Sequence, residues 1–158
     1  MFMYRELSVM SINKKEIQIL CMQVLKQQIS RLEDMMIYAQ KEANKETKSS
    51  AGDKYETGRS MMQLEKEKYA MQHSRVSEQL NRLQKIDLGS HNEVQAGSLV
   101  ETNIGLFFIS VGMEPQHIQN KLITCISLST PVGSCLEGLE EGDVVDFRDQ
   151  EIEIWEVH

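Results

Sequence analysis

The stretch KKEIQILCMQVLKQQISRLEDMMIYAQKEANK, residues 14–45, decides the fold, because it contains neither proline nor glycine. Its apolar residues recur at steps of three and four, which places them on one face of a helix. They are Cys21, Leu25, Ile29, Leu32, Met36, Ala39 and Ala43. At 1.5 Å per residue this helix would reach on the order of 45–50 Å, and such a length needs a partner.

The next proline-free stretch, residues 56–85, supplies that partner. Its apolar residues include a set that repeats every seven positions, with Leu80 between them: Met62, Tyr69, Val76 and Leu83. Seven-residue spacing predicts a coiled-coil seam. Small polar residues and one glycine, TKSSAGD at 47–53, interrupt both patterns. We therefore predict an antiparallel coiled-coil hairpin over residues 14–86, with its tip near 47–58.

The pattern changes after residue 86. A linker over 87–96 precedes short runs that favour strands, at 98–102, 106–111, 122–129, 143–147 and 152–157. Asn-Ile-Gly at 103–105 predicts a tight hairpin connection. Pro131 suits the first position of a short helix, and Gly138 suits the position just past its end. The fold class predicted is α+β, with an extension at 1–13, expected to be flexible, before the hairpin.

The overall composition excludes several classes of protein. A chain of 158 residues is too short for a large enzyme core, and its formal net charge of −7 argues against holding nucleic acid over its whole surface. No apolar run approaches the roughly 18 residues that span a bilayer, and residues 1–10 lack a signal-peptide pattern. We expect a cytoplasmic protein. Cys21, Cys125 and Cys135 lack the spacing of a zinc site and are expected to be reduced, buried thiols.

Two further groups of residues are assigned to packing or to no function. Five methionines at helical spacing predict packing in the seam: Met35, Met36, Met61, Met62 and Met71. His73 falls on the seam of the second helix, and His91, His117 and His158 are isolated in predicted loops or at the end of the chain. None of the four has a metal-ligand companion, so none is assigned to catalysis.

The order of motifs resembles a known family. Residues 126–138, ISLSTPVGSCLEG, followed by EEGDVV at 140–145, run from strand through Ser-Thr-Pro and a short helix to glycine, Gly-Asp and a strand. With GSLV at 97–100 and GDKYE at 52–56, this order resembles the bacterial GreA/GreB transcription elongation factors over about residues 14–157. The resemblance implies a C-terminal domain over 97–158 with an FK506-binding-protein-like fold, without implying prolyl isomerase activity.

The family resemblance implies a function. In Gre factors the hairpin enters the secondary channel of RNA polymerase, and two tip acids help hold a catalytic Mg²⁺ so that backtracked RNA is cleaved. Carried over, Asp53 and Glu56 are the catalytic and magnesium-binding acids, and Lys54, Tyr55 and Arg59 contact RNA or polymerase. The implied partners are bacterial RNA polymerase and, through it, the 3′ end of the nascent RNA.

The chain itself would then not be an enzyme, because the polymerase supplies the remaining magnesium ligands and its own RNA hydrolysis is stimulated. The expected protein is a monomer without a membrane partner. The resemblance also implies DNA binding, which the acidic charge restricts to a local surface or to contact through a partner.

Other interpretations of the same residues stay open. Asp53 and Glu56 before a helical run also fit a capping box. The residues TGRS at 57–60 stand where the family usually has Asn-Ala-Glu-Tyr, and a noncleaving secondary-channel regulator of the same shape is the first alternative. Positive charge at Lys54 and Arg59 could weaken a metal site by repulsion. A coiled-coil adaptor without a polymerase partner is the third possibility.

Overall fold

The structure, a computed structural model, describes residues 12–46 and 52–158, with side chains except at Glu46 and 52–55. The predicted extension at 1–13 lies mostly outside the described residues, and so does part of the predicted tip. The helices are α1 (Lys14–Glu46), α2 (Gly52–Gln84) and α3 (Pro131–Leu136). The strands are β1 (Leu99–Thr102), β2 (Gly105–Ile109), β3 (Gln116–Ile118), β4 (Lys121–Ile126), β5 (Val144–Phe147) and β6 (Gln150–Val157).

The chain divides into two compact units. The first contains residues 22–81, and the second contains the start of α1 through Cys21 together with residues 82–158. No helix among the described residues combines the length and the apolar character needed to cross a membrane. The predicted domain boundaries at 86 and 96 are not tested by this division and stay a prediction.

In the first unit, α1 and α2 pack side by side in opposite directions. Lys66 Nζ donates to Gln40 Oε1 at 2.6 Å, and His73 Nε2 lies 3.1 Å from Glu33 Oε1. The partner's position in α2 rises as the position in α1 falls, which requires antiparallel helices. The buried side chains between them come from the predicted seams: Leu25, Leu32, Ala39, Ala43 and Val76. The predicted hairpin is confirmed.

The expectation for the methionines is partly wrong. Met36 and Met62 are half-buried, but Met35, Met61 and Met71 are exposed, Met71 to 74%. Successive helical residues lie about 100° apart, so a residue next to a seam position points away from the seam. Met35 precedes Met36, and Met61 precedes Met62, which explains why only one methionine of each pair packs inward.

In the second unit, six strands form one mixed sheet in the order β3-β4-β2-β1-β6-β5. Only β2 and β4 pair in parallel among these neighbours, with Leu106 opposite Ile123. The core on this sheet is aliphatic and aromatic: Val94, Val100, Phe107, Ile109, Ile126, Leu136, Ile152 and Ile154. The predicted α+β class and the five predicted strands are confirmed.

The sheet also contains β3, a strand that the sequence analysis missed. It pairs with β4 through a two-residue turn at Gln119 and Asn120, where φ is +50° and +63°. Positive φ at both central residues is the signature of a type I′ turn, which usually contains glycine. Because this turn is Gln-Asn and contains no glycine, the sequence analysis did not predict the hairpin. The same geometry recurs between β5 and β6, at Arg148 and Asp149.

The short helix α3 begins and ends as predicted. Pro131 is its first residue, Thr130 caps it by accepting a hydrogen bond from the Gly133 amide at 3.1 Å, and Gly138 follows the C-cap with φ +78°. A Cβ atom on Gly133 would lie 2.1 Å from the carbonyl oxygen of Ser127. Only glycine fits this close approach, so the motif around α3 has a packing reason independent of function.

Asn103 joins the β1–β2 turn to β6. Between Glu101 and Thr102 the β1–β6 register shifts, which ends the regular ladder. Beyond it, Asn103 Nδ2 donates to the carbonyl of Glu151 at 2.9 Å, and its Oδ1 accepts from the amide of Glu153 at 2.9 Å. The side-chain amide of Asn103 thus makes hydrogen bonds that a backbone peptide would otherwise make. It extends the β1–β6 pairing beyond the end of β1.

We predict that Asn103→Ala lowers the free energy of unfolding by about 1–2 kcal/mol, because two hydrogen bonds are lost. Urea titration of the full chain measures this change. Asn92→Ala, at an exposed asparagine in the segment before β1, is the control and should change it by less than about 0.5 kcal/mol. Equal effects of the two substitutions would contradict the bridging role of Asn103.

Candidate functional site

The first turns of α2 carry the predicted tip residues. Asp53 and Glu56 are the second and fifth residues of the helix as it is bounded. Residues three apart share a helix face, so the backbone brings positions 53 and 56 together, and Arg59 follows on the same side. Glu56 and Arg59 are exposed. The side chains of Asp53, Lys54 and Tyr55 lie outside the described residues, and their assigned roles stay predictions.

Two carboxylates at this spacing suit a metal ion whose other ligands come from elsewhere better than a metal ion held by this chain alone. Mg²⁺ commonly takes one or two protein carboxylates and completes its octahedron with water and phosphate oxygens. Among residues 12–46 and 52–158, no group of three or more His, Cys, Asp or Glu side chains is arranged to hold a metal ion. The assignment of Asp53 and Glu56 to a magnesium site stays a prediction.

The start of a helix favours acidic residues for a second reason. Unpaired amides and the helix dipole make its N-terminus electropositive, so carboxylates there are stabilised by roughly 0.3–1 kcal/mol. Glu56 and Asp53 can satisfy this preference without any metal. The predicted capping box needs Asp53 at the N-cap, but α2 begins at Gly52, so Asp53 is already the second helical residue and the bounds do not match the box. The metal role stays a prediction.

A shallow apolar groove on the helix pair was missed by the sequence analysis. It is lined by Tyr38, Ala39, Met61, Met62, Leu64, Glu65 and Tyr69. Tyr38 and Leu64 are each 65% exposed, although both are large apolar residues. The available signal was Ile37-Tyr38 beside the seam residue Ala39, which puts apolar side chains outside the packed stripe. Exposed apolar side chains grouped in this way favour contact with another protein.

His91 belongs to a buried polar cluster and is not isolated in a loop as expected. It is 5% exposed, and its Nδ1 hydrogen-bonds Ser98 Oγ at 2.9 Å. Its Nε2 lies 3.8 Å from Asp87 Oδ2 and has no hydrogen-bond partner among the described residues. Nearby, Lys14 Nζ donates to the carbonyl of Gly89. Segment 87–96, predicted as a linker, thus contributes buried side chains to the second unit.

Gly97 permits this cluster to form. Its φ is +94°, and a Cβ atom there would lie 1.8 Å from the carbonyl oxygen of Asp87 and 3.3 Å from Cε1 of His91. A larger residue would push the chain around His91 out of place. The Gly-Ser of the motif at 97–100 therefore has a structural explanation, with Ser98 as the direct partner of the imidazole.

Burial sets the protonation of His91. Desolvation lowers its pKa, the nearby Lys14 ammonium lowers it further, and the Asp87 carboxylate opposes both effects. The amide of Gly89, donating to Asp87, lowers the pKa of that carboxyl group. Burial and Lys14 thus favour the neutral imidazole in the folded protein, and its Nε2 lies 3.8 Å from the Asp87 carboxylate.

We predict that the protein loses stability as the pH falls below about 6.5, the usual pKa of histidine in an unfolded chain. A lowered folded pKa means that the unfolded chain binds the proton more readily, so protonation favours unfolding. Urea titrations at about pH 7.5 and about pH 5.5 should show a smaller difference for His91→Asn than for the wild type.

The exposed His117 on β3 provides the control for this measurement. His117→Asn should leave the difference between the two pH values unchanged. If His91→Asn retained the full wild-type difference, other groups would be responsible for it and the assignment to His91 would be wrong.

Comparison with known proteins finds similarity to solved structures only. The chain is similar to the crystal structure of GreA factor homolog 1 (Gfh1) of Thermus thermophilus, with 20% identity, 87% of this chain and 94% of that chain covered, and a TM-score of 0.32. A second structure, of the transcription factor Gfh1, has 22% identity, covers 87% of this chain and 92% of its own, and has a TM-score of 0.37. No protein-family model and no curated protein matches the chain.

Both solved structures belong to proteins described as transcription factor or GreA homolog, and each is covered over nearly its whole length. With identities of 20% and 22% and TM-scores of 0.32 and 0.37, the similarity does not assign an activity to this chain.

Proposed function

We propose that the chain is a Gre-like transcription factor that binds RNA polymerase, inserts its coiled coil into the secondary channel and stimulates cleavage of backtracked RNA. The observation that carries this proposal is the pair Asp53 and Glu56, one helical turn apart at the start of α2 within an antiparallel hairpin. The resemblance of residues 52–56 to the Gre tip motif adds to it.

The dimensions of the helix pair suit insertion into a narrow channel, where the pair could place the residues of its tip. Each helix has 33 residues, or about 50 Å at 1.5 Å per residue. Two packed helices have a cross-section of only two helix diameters, each about 10–12 Å. A hairpin of these dimensions can place residues near the start of α2 far inside a partner while most of its length lies along the channel wall.

The tip residues would act by holding Mg²⁺, which in turn would orient a water molecule. Asp53 and Glu56 would each present a carboxylate oxygen to Mg²⁺, and the polymerase would supply the remaining protein ligands. The bound ion would orient a water molecule and stabilise the charge that develops at phosphorus. Two carboxylates alone hold magnesium weakly, so the chain should have no nuclease activity without polymerase.

The surface of the helices supports a protein partner. The groove lined in part by Tyr38, Met61 and Leu64 leaves apolar area in water that a channel wall could cover. The formal net charge of −7 disfavours direct binding to nucleic acid over a broad surface. In this proposal the C-terminal unit docks near the channel rim and holds the hairpin in place.

A noncleaving channel regulator is the second candidate, and Arg59 favours it. This exposed side chain lies three residues after Glu56, where the resembled motif has a glutamate. An arginine one turn away can pair with the Glu56 carboxylate and repel a divalent cation. The hairpin would then occupy the channel without completing a metal site.

We predict that the wild-type protein stimulates cleavage in purified backtracked elongation complexes with Mg²⁺, and that Asp53→Ala/Glu56→Ala does not. The loss should be at least about tenfold, because even outer-shell partners of a metal are worth about 10- to 100-fold. Asp34→Ala/Glu67→Ala removes the same charge from exposed positions within the helices and should retain the wild-type rate.

Binding to polymerase, measured in parallel, separates the candidates. If the wild type binds without stimulating cleavage, and Arg59→Glu gains stimulation, the regulator is favoured and Arg59 is its determinant. If the wild type fails to bind polymerase from its source organism, both candidates are wrong and the adaptor interpretation replaces them.

A further inference from the structure

Two cysteines far apart in sequence meet inside the second unit. Cys21 on α1 and Cys125 on β4 are separated by 104 residues, and their sulfur atoms lie 3.7 Å apart. Cys21 is 0% exposed and Cys125 is 2% exposed. The sequence analysis correctly predicted both as buried thiols but gave no reason to bring them together. The third cysteine, Cys135, is half-buried on α3.

We propose that Cys21 and Cys125 form a peroxide-oxidised disulfide site that links the start of α1 to β4. A disulfide requires a sulfur separation of about 2 Å, so the two atoms must approach by less than about 2 Å. Rotation about the side-chain torsions, together with local movement of the first turns of α1, would bring the two sulfurs into bonding distance. Neither global unfolding nor a second copy of the chain is required.

The reaction balances with hydrogen peroxide as the oxidant. The Cys21 thiolate attacks one peroxide oxygen, the O–O bond breaks and the released hydroxide takes up a proton, which leaves a sulfenic acid on Cys21. The Cys125 sulfur then attacks the Cys21 sulfur, the S–O bond breaks and a water molecule leaves. Two thiols lose two electrons and one peroxide becomes two waters. Two equivalents of a small thiol reduce the disulfide back to two cysteine thiols by thiol–disulfide exchange.

The environment assigns different roles to the two sulfurs. The hydrogen bond between them lowers the pKa of Cys21, against the opposing effect of burial. It raises the pKa of Cys125, in the same direction as burial. Cys21 lies on α1, whose first turns can open locally, whereas Cys125 lies on β4, a strand paired on both sides in the sheet. Cys21 is therefore assigned as the site of first oxidation, and Cys125 resolves it.

Burial controls how fast the oxidant arrives. Peroxide reaches Cys21 when the first turns of α1 open locally, and two contacts oppose that opening. Gln18 Nε2 donates to the carbonyl of Leu83 at 2.8 Å, and Lys14 Nζ donates to the carbonyl of Gly89. Once formed, the disulfide closes a long loop and prevents α1 from separating from β4, so amide hydrogen exchange at residues 14–25 should slow.

The test uses Cys135→Ser, because Cys125 and Cys135 would share the tryptic peptide 122–148. The folded variant is treated with hydrogen peroxide, its remaining thiols are alkylated, and the digest is analysed by mass spectrometry. We expect peptide 16–26 joined to peptide 122–148, lighter than the two reduced peptides by two hydrogen atoms, and separated again by dithiothreitol. Adding Cys21→Ser should abolish the joined species.

Met71, on α2, reports whether the oxidant acted, since its exposed thioether forms the sulfoxide readily. Sulfoxide at Met71 with Cys21 and Cys125 both alkylated would overturn the proposal. A joined peptide found only in covalent dimers on a nonreducing gel would also overturn it. A joined peptide from the monomer, formed in the folded wild-type chain as well, supports it even if Cys21→Ser fails to fold.

Discussion

The packing of the α1 seam against the α2 seam is the constraint on which the first unit depends. A helix of 33 residues is only marginally stable in water by propensity alone, and its apolar stripe must be covered. Leu25, Leu32 and Ala39 meet the stripe of an equally long helix that runs the other way. Polar pairs such as Gln40 with Lys66 then fix the register at the edge of the seam.

The small residues of the seam affect more than stability. Ala39 and Ala43 are buried in the part of α1 nearest its C-terminal end, where their small side chains take up little space between the helices. A slender cross-section is what the proposed channel insertion needs. The same arrangement leaves Tyr38 and Leu64 outside the seam, where a partner protein can cover them.

The second unit depends on close backbone approaches that only glycine allows. Gly133 lies against the Ser127 carbonyl and Gly97 against the Asp87 carbonyl. These two contacts explain why the motifs around residues 97–100 and 126–138 look as they do without any reference to partners. They position α3 and the His91 cluster within the C-terminal half. The proposed chemistry remains with the start of α2 and with the polymerase.

Much of this architecture could be predicted from the sequence, because periodicity and turn chemistry act locally. The spacing of Leu25, Leu32 and Ala39 predicted the seam, and Pro131 and Gly138 predicted the limits of α3. The β3–β4 hairpin was missed because its turn, Gln119-Asn120, adopts positive φ without glycine.

Contacts between distant segments left no local signal in the sequence. The pairing of Cys21 with Cys125 joins residues 104 positions apart. The burial of His91 likewise depends on neighbours that the tertiary fold brings around it, including Lys14 and Ser98. The roles proposed for Asp53 and Glu56 involve atoms of a partner, which no pattern within one chain encodes.

In the proposed complex the start of α2 enters RNA polymerase, and site-specific photocrosslinking can detect that placement. A photoreactive amino acid at Arg59 would be activated in a complex with purified polymerase and compared with the same probe at Trp155, an exposed position on β6. We predict that position 59 crosslinks to the polymerase subunit that surrounds the active site, and that position 155 does not reach it. If the protein binds polymerase without that crosslink from position 59, the start of α2 does not enter the channel.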